Sequence, residues 1–160
     1  MIRAAISTDA EQICALWNWM IRDTLATFTT VEKSLTEITG LIEQRTFLVA
    51  EHSDRFAGFA TYGPFRGGPG YVATAEHSVI VGASFRGSGV GRALMANLEA
   101  NAGKDNIHTL IGAVSGANPG AIAFHEAMGF HVAGRLSEAG QKNNQWLDLV
   151  LMQKILTPSV

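Results

Sequence analysis

Residues 84–95, SFRGSGVGRALM, place three glycines and two arginines at the start of an apolar helical pattern. The segment before them, ATAEHSVIVG (73–82), has the pattern of a strand, and Val90, Leu94 and Leu98 recur at helical spacing. A glycine loop between a strand and a helix directs free backbone N–H groups and the positive end of the helix dipole to one point. The stretch therefore predicts a phosphate-binding loop. The alternative is a tight turn with two solvated arginines.

The spacing of the glycines excludes two common phosphate loops. The dinucleotide fingerprint G-x-G-x-x-G would need a third glycine where Arg92 stands. A Walker loop needs Gly-Lys followed by Ser or Thr, which does not occur here. The pattern that remains is Arg-x-x-Gly-x-Gly, formed by Arg86, Gly89 and Gly91.

Composition sets the broad class of the protein. A chain of 160 residues with 47% hydrophobic and 16% charged residues predicts one globular domain, 1–160, with a substantial core. The net charge of −2 argues against a nucleic-acid partner. No apolar run approaches the length of a membrane span, and the first residues lack the apolar core of a signal peptide. We therefore expect a cytoplasmic protein with no membrane partner.

Hydrophobic periodicity predicts the order β-α-α-β-β-β-α-β-α-β-β. The predicted strands are residues 2–6, 46–52, 55–63, 73–82, 107–115, 130–136 and 146–156. The predicted helices are residues 13–21, 35–45, 90–98 and 118–128. Ser53–Asp54 is the expected turn of a hairpin. This order predicts an α/β (α+β) fold, in which a mixed sheet carries helices on its faces.

A second motif follows about thirty residues after the first. Residues 118–130, NPGAIAFHEAMGF, fit the pattern N-x-x-A-x-x-[aromatic or His]-x-x-x-G-F. Together, the two motifs resemble those of the GNAT superfamily of N-acetyltransferases. The resemblance implies the GNAT fold, a mixed and mostly antiparallel sheet flanked by helices, and acetyl-CoA as co-substrate. It also implies that Asn118 binds the pantetheine arm. His125 stands where relatives usually have a tyrosine that protonates the departing thiolate.

Three further segments narrow the resemblance. EHSVIV (76–81), GQKNNQWLDLVLMQ (140–153) and WNWMIRDTLATF (17–28) resemble the phosphinothricin and methionine sulfoximine/sulfone N-acetyltransferases. The resemblance implies acetylation of the α-amino group of a small amino-acid-like substrate. The loop PFRGGPGY (64–71) keeps an arginine, Arg66, but has two glycines where bulkier residues are usual, which predicts a roomier pocket.

Glu76 is the candidate proton acceptor. An amine must lose its proton before it attacks a thioester, and a carboxylate among apolar neighbours has a raised pKa. Strand alternation puts Glu76, Ser78 and Ile80 on one face and His77 on the other. The alternative is that Glu76 faces solvent and has no catalytic role. His125 is the candidate acid that protonates the thiolate. The alternative is a purely structural role, in which its ring only packs on the helix.

The remaining site predictions follow from the resemblance. The predicted cofactor-binding residues are Val79, Ile80, Val81, Arg86, Gly87, Ser88, Gly89, Val90, Gly91, Arg92 and Asn118. The predicted substrate-binding residues are Phe28, Arg66, Gly67, Gly68, Glu76, His77 and Ser78. Weaker pocket candidates are Phe65, Tyr71, Lys142 and Trp146. The histidines show no metal-ligand spacing, so we expect no metal site.

Two alternatives to this function stay open at this point. The acceptor could be a different amine, such as a protein N-terminus, a polyamine or an aminoglycoside. A non-catalytic coenzyme A sensor is a second possibility, although the presence of both Glu76 and His125 speaks against it. The closing strands are more apolar than one sheet face requires, and relatives of this kind usually form homodimers, so we expect a symmetric dimer rather than a monomer.

Overall fold

The structure, a computed structural model, describes residues 1–157. Within them the strands are β1 Ile2–Ala4, β2 Phe47–His52, β3 Arg55–Pro64, β4 Thr74–Val81, β5 Thr109–Ser115, β6 His131–Lys142 and β7 Gln145–Ile155. The α-helices are α1 Ala10–Asp23, α2 Leu35–Gln44, α3 Val90–Lys104 and α4 Pro119–Ala127. The element order is the predicted one. No helix in this part of the chain is both long and apolar enough to cross a membrane.

The strands form one seven-stranded sheet in the order β1-β2-β3-β4-β5-β7-β6. All neighbouring strands are antiparallel except β4 and β5, which are parallel. The connection between these two strands contains α3, because a parallel pair needs a long crossover. The prediction of a mixed, mostly antiparallel sheet flanked by helices is therefore confirmed.

The turn between β2 and β3 shows how the local sequence sets one register. Ser53 and Asp54 both have positive φ, 51° and 56°. Two consecutive positive φ values are the signature of a type I′ turn, whose twist matches that of the flanking strands. Pairing then runs from His52↔Arg55 toward Phe47↔Thr61, with one bulge between Ala50 and Glu51.

Helices cover both faces of the sheet. On one face, α1 and α2 bury Ile13 and Ile38 against Phe59, and Trp17 packs on the Phe59 ring at a centroid distance of 5.2 Å. On the other face, α3 buries Leu94 and Leu98 in a cluster to which β3, β5 and β7 also contribute. Each helix carries its apolar residues in one stripe that faces the sheet. Because the helices pack on opposite faces, the two clusters lie on opposite sides of β3 and β4.

The parallel pairing of β4 and β5 stops halfway along β4. The register runs from Thr74↔Thr109 to His77↔Gly112 and ends there. Residues 78–81 pair only with β3, and residues 113–115 pair only with β7. The two strands therefore separate, and a gap opens between them on the side where the glycine loop follows β4.

β6 is longer than predicted. The expected strand ended at residue 136, but β6 continues to Lys142 through two irregularities, at Val132/Gly134 and at Leu136/Gly140. A bulge inserts unpaired residues into one strand and breaks the alternation of side chains. The polar residues of this segment therefore lack the period-two pattern that predicts a strand.

Candidate active site

A cleft of about 730 Å³ opens where β4 and β5 separate. The second half of β4, the glycine loop, the start of α4 and the end of α1 all border it. The cleft brings together most of the predicted cofactor residues, namely Val79, Ile80, Val81, Arg86, Gly87, Gly89, Gly91, Arg92 and Asn118, together with His125.

The glycine loop presents unpaired N–H groups to this cleft. Gly87 and Gly89 have positive φ, 78° and 85°, and a Cβ at either position would meet open space. No group within residues 1–157 accepts a hydrogen bond from the backbone N–H of Gly87, Gly89, Val90, Gly91 or Arg92. The first turn of α3 contains no acidic residue, so the positive end of its dipole is not offset. These features fit a diphosphate.

Ser88 contributes less to the loop than predicted. Its N–H donates to the Phe85 carbonyl at 3.3 Å, and its hydroxyl donates to the same carbonyl. Both donors are therefore used within the turn. Val90 is a buried core residue, so only its N–H, and not its side chain, is free to face an anion.

The open edge of β4 is the second element of the cleft. Val79, Ile80 and Val81 line it, and their main-chain groups on the side of β5 have no strand partner. Such an edge can pair with an extended amide chain as if with another strand. A pantetheine arm carries amides of this kind, so the predicted binding mode fits the structure.

Asn118 is both a helix cap and a cleft residue. Its Oδ1 accepts a hydrogen bond from the N–H of Ala121 at 3.2 Å, which caps α4. Within residues 1–157 its Nδ2 has no acceptor. The amide side chain therefore has one group fixed by the helix and one donor group left for a ligand.

His125 is paired in a way that the sequence did not predict. Its Nδ1 lies 2.7 Å from the Ala121 carbonyl, and its Nε2 lies 2.9 Å from the Nε2 of His77. Burial lowers the pKa of both rings, that of His77 to about 3, so both are neutral at pH 7. His125 then carries its proton on Nδ1, and the Nε2–H of His77 donates to the Nε2 of His125.

The predicted role of His125 as the acid stays a prediction, and this pairing bears on it. Both of its ring nitrogens are engaged within the protein, so neither is available to donate a proton to a departing thiolate in this arrangement. Gly112 makes the pairing possible, because a Cβ there would lie 2.9 Å from the Nε2 of His125 and 3.1 Å from the Cε1 of His77. The Nδ1 of His77 is buried without a hydrogen-bond partner.

Glu76 lies on the opposite face of β4 from His77, as alternation predicted. It is exposed and faces Gly63 in the register with β3. Partial desolvation raises the pKa of its carboxyl, and no group of residues 1–157 forms an ion pair with it. A carboxylate with a raised pKa and no fixed partner is a stronger proton acceptor than an ordinary surface glutamate. Ser78 follows on the same face and is half-buried.

Arg66 lies in a different cleft from the cofactor residues. This second cleft, of about 810 Å³, is lined by the 64–72 loop together with the end of α2 and the 105–107 turn. The Arg66 guanidinium lies 5.8 Å from the ring centre of Tyr71. The loop leaves β3 just after Gly63, which is the partner of Glu76. The predicted contact between Arg66 and an acceptor near Glu76 therefore stays a prediction, as do those of Gly67 and Gly68.

Two of the weaker pocket candidates have other positions. Lys142 is buried, 3% exposed, and its ammonium donates to three backbone carbonyls. It is therefore not a free polar group in a pocket. Trp146 is 62% exposed and lines neither cleft.

Phe28 packs directly on Gly140, where a Cβ would clash with its ring. In the described part of the chain, no group of three or more His, Cys, Asp or Glu side chains could hold a metal ion.

The known proteins that are similar to this chain are acetyltransferases. Residues 2–151 match the family model of an acetyltransferase (GNAT) domain. An L-methionine sulfoximine/L-methionine sulfone acetyltransferase from Pseudomonas paraeruginosa is 30% identical over 164 residues, which cover 99% of this chain and 95% of the relative.

Two crystal structures share the fold over nearly the whole chain. One is a ribosomal-protein-alanine N-acetyltransferase from Brucella melitensis, with a TM-score of 0.93 and 37% identity, covering 98% of this chain and 99% of that one. The other is a phosphinothricin acetyltransferase from Sinorhizobium meliloti in complex with AcCoA, with a TM-score of 0.90 and 27% identity, covering 98% and 88%.

Proposed function

Because this chain belongs to the GNAT acetyltransferase family, we propose that it acetylates the α-amino group of a small amino-acid-like substrate. Methionine sulfoximine, methionine sulfone and phosphinothricin are the proposed type of acceptor. Family membership confirms the predictions of the GNAT fold, of N-acetyltransferase activity and of acetyl-CoA as co-substrate.

One observation carries the proposed geometry of catalysis. The unpaired edge of β4 begins at Ser78, two residues after Glu76, and continues to the glycine loop. A cofactor with its diphosphate at that loop and its pantetheine arm along the edge would direct its thioester toward Ser78. The amine would then meet the thioester close to Glu76. Alignment of this kind can account for about 7–11 kcal/mol of a reaction barrier.

Each chemical step has a candidate group in the chain. Glu76 accepts the proton of the substrate ammonium, either directly or through a water molecule. A main-chain N–H near Val79 stabilises the negative charge that develops on the carbonyl oxygen, a role typically worth about 3 kcal/mol. A thiol has a pKa of about 8.5, so the sulfur can leave as a thiolate and take its proton from solvent. Protonation by His125 would therefore assist this step without being indispensable.

Arg66 is the proposed anchor of the acceptor. Its guanidinium can form two parallel hydrogen bonds to a carboxylate or another anionic group. Gly67 and Gly68 leave open space beside it, because a Cβ at either position would meet nothing within 4 Å. The hydroxyl of Ser78 and the main chain of His77 hold the rest of the acceptor, and Phe28 forms part of the wall.

A second acceptor class has specific support. The Brucella melitensis structure, at 37% identity, is named for acetylation of an alanine of a ribosomal protein. An N-terminal alanine also presents an α-amino group. It lacks the free α-carboxylate of an amino acid, however, so Arg66 would have no carboxylate to bind.

A panel of amines separates these possibilities. Release of the coenzyme A thiol is measured with methionine sulfone, methionine sulfoximine, phosphinothricin, an Ala-starting peptide, spermidine and an aminoglycoside. We expect turnover of the first three, and an increase in their KM for Arg66→Ala at an unchanged acetyl-CoA KM. Turnover of the peptide alone assigns the second class. Binding of acetyl-CoA without turnover of any amine points to a sensor.

We also propose a symmetric homodimer. β6 is an edge strand, and Val132, Leu136 and Trp146 on β6 and β7 are 47%, 46% and 62% exposed. An apolar edge strand is a surface that proteins usually cover. Light scattering at micromolar concentration tests this, and a monomer mass would contradict it. A cytoplasmic location, and the absence of nucleic-acid and membrane partners, stay predictions.

A further inference from the structure

Lys142, near the end of β6, makes an unusual set of contacts. Its Nζ donates to the carbonyls of Ile21, Thr24 and Thr27 at 2.7, 2.8 and 2.9 Å. An ammonium has three N–H donors, so all of them are used. The side chain is 3% exposed, and no carboxylate of residues 1–157 forms an ion pair with it. Every partner of this buried cation is therefore a main-chain oxygen of another segment.

The three carbonyls belong to the end of α1 and the residues after it. Carbonyls in the last turn of a helix lack intrahelical partners, and that end of the helix dipole attracts a cation. Thr24 covers one of them itself, since its hydroxyl donates to the Met20 carbonyl at 2.7 Å. Lys142 satisfies the carbonyl of Ile21 and two carbonyls beyond the helix. Lys142 therefore caps the end of α1, although the two are more than a hundred residues apart in the sequence.

The segment held in this way is a wall of the cofactor cleft. Thr24, Leu25 and Ala26 line the cleft together with the open edge of β4. Phe28, just beyond them, packs on Gly140, two residues before Lys142. The hairpin of β6 and β7 therefore holds residues 24–28 at two points, through the ammonium of Lys142 and through the bare backbone of Gly140.

We propose that Lys142 is a positioning residue for acetyl transfer. It fixes residues 24–28, and so sets the width of the cleft between this wall and the unpaired edge of β4. The inference rests on the proposed binding of acetyl-CoA along that edge. Lys142 touches neither substrate, and its effect passes through the wall alone.

The variant Lys142→Met tests the proposal. It keeps an unbranched apolar side chain that reaches to Cε but removes the ammonium and with it all three donors. The matched control is Lys154→Met, because the Nζ of Lys154 also makes three hydrogen bonds, to both carboxylate oxygens of Glu99 and to the Met128 carbonyl. We expect at least a fivefold rise in the acetyl-CoA KM for Lys142→Met, at a temperature where both proteins are fully folded. Lys154→Met should stay within twofold of wild type.

Hydrogen exchange of peptides covering residues 21–28 gives a readout that needs no activity. Lys142→Met should exchange faster in this segment alone, whereas Lys154→Met should leave it unchanged. A folded Lys142→Met protein with wild-type kinetics and wild-type exchange overturns the proposal. Failure of wild type to bind acetyl-CoA would instead reject the proposed function, and the exchange comparison would still test the attachment.

A milder variant covers the case in which Lys142→Met does not fold. Lys142→Gln keeps two N–H donors on a shorter side chain. We expect faster exchange over residues 21–28 and an acetyl-CoA KM raised at least threefold. Exchange and kinetics identical to those of wild type would count against the proposal in the same way.

Discussion

The two halves of β4 belong to one continuous strand but differ in their neighbours. Residues 75–77 pair with β3 on one edge and with β5 on the other, whereas residues 78–81 pair with β3 alone. The paired half carries Glu76 on a rigid backbone, and the unpaired half carries free main-chain groups that can bind a ligand. One strand therefore provides both a fixed side chain and a binding edge, and the boundary between them is the place where β5 departs.

The histidine pair lies at this boundary. His77 and Gly112 form the last register pair between the two strands, and His125 of α4 approaches Gly112 closely. The Phe130 ring packs against both imidazoles at centroid distances of 5.2 Å. Beyond this point α4 and its cap occupy the side of the cleft that β5 leaves. The pair thus closes the bottom of the gap with neutral, buried side chains.

The largest expected effect comes from the paired half. Glu76→Gln should lower kcat/KM for the acceptor by about 10²–10⁴-fold, since a positioned base contributes a factor of this size. The acetyl-CoA KM should stay unchanged.

Because desolvation raises the pKa of Glu76, wild-type activity should fall on the acidic side of neutrality as this carboxylate takes up a proton. A pH–rate profile measures this. The control is Glu126→Gln, on an exposed position of α4, and a Glu76→Gln profile that overlays wild type would remove Glu76 as the base.

The histidine pair at the boundary should make stability depend on pH. Both pKa values are lowered by burial, that of His77 to about 3, so the unfolded chain binds more protons between that value and the ordinary histidine pKa of about 6.5. Stability from the pair is therefore complete above pH 6.5 and falls as the pH drops, by about 1.4 kcal/mol per pH unit for each proton.

Denaturant unfolding between pH 7 and pH 5 measures this dependence. His77→Phe keeps an aromatic ring beside Phe130 and removes one titrating group, so its stability should vary less with pH than that of wild type. His131→Gln, at an exposed position, is the control. Equal pH dependence of wild type and His77→Phe would mean that the pair does not stay neutral.

The glycine loop serves the unpaired half, and Gly89→Asp tests it. A residue other than glycine at a left-handed position costs roughly 1–2 kcal/mol, and a carboxylate there repels a diphosphate. We expect the acetyl-CoA KM to rise about tenfold or more, since 1.4 kcal/mol corresponds to a factor of ten. Gly103→Asp places the same charge near the opposite end of α3, where a side chain meets open space. Equal thermal stabilisation of Gly89→Asp and Gly103→Asp by acetyl-CoA would reject the phosphate loop.

The smallest expected effect concerns Asn118. Asn118→Ser keeps a capping oxygen for α4 but loses the free amide donor, so the melting temperature should hardly change. The acetyl-CoA KM should rise about two- to tenfold, which corresponds to the roughly 0.5–1.5 kcal/mol of one hydrogen bond. Asn118→Ala should show the same KM and lose about 1 kcal/mol of stability as well. An unchanged KM in both variants would limit Asn118 to its role as a cap.

Patterns close together in the sequence predicted most of the fold. The periodicities gave the order of all helices and strands, and the alternation in β4 put Glu76 and His77 on opposite faces, as observed. The backbone geometry of the glycine loop could be predicted because it depends on local positive φ angles, which glycines make possible, whereas its binding of a diphosphate stays a prediction.

The features that were missed depend on contacts between distant segments. The partners of Lys142 are main-chain oxygens of residues 21–27, which no side-chain pattern reveals. His77 and His125 meet only because Gly112 leaves space between two strands and a helix. A charged or titratable residue is usually solvated, so sequence alone gives no reason to expect burial at either place.

The order of the strands also has a consequence for how the chain folds during synthesis. β7 lies between β5 and β6, so the hydrogen-bonding edge of β5 stays uncovered until Ile155 has been made. At about 5–20 residues per second, the 40 residues from Ser115 to Ile155 take roughly 2–8 s to translate. During that time the nascent chain presents an apolar strand edge to the cell, and the β6–β7 hairpin, whose contacts are local, is the unit that docks last and protects it.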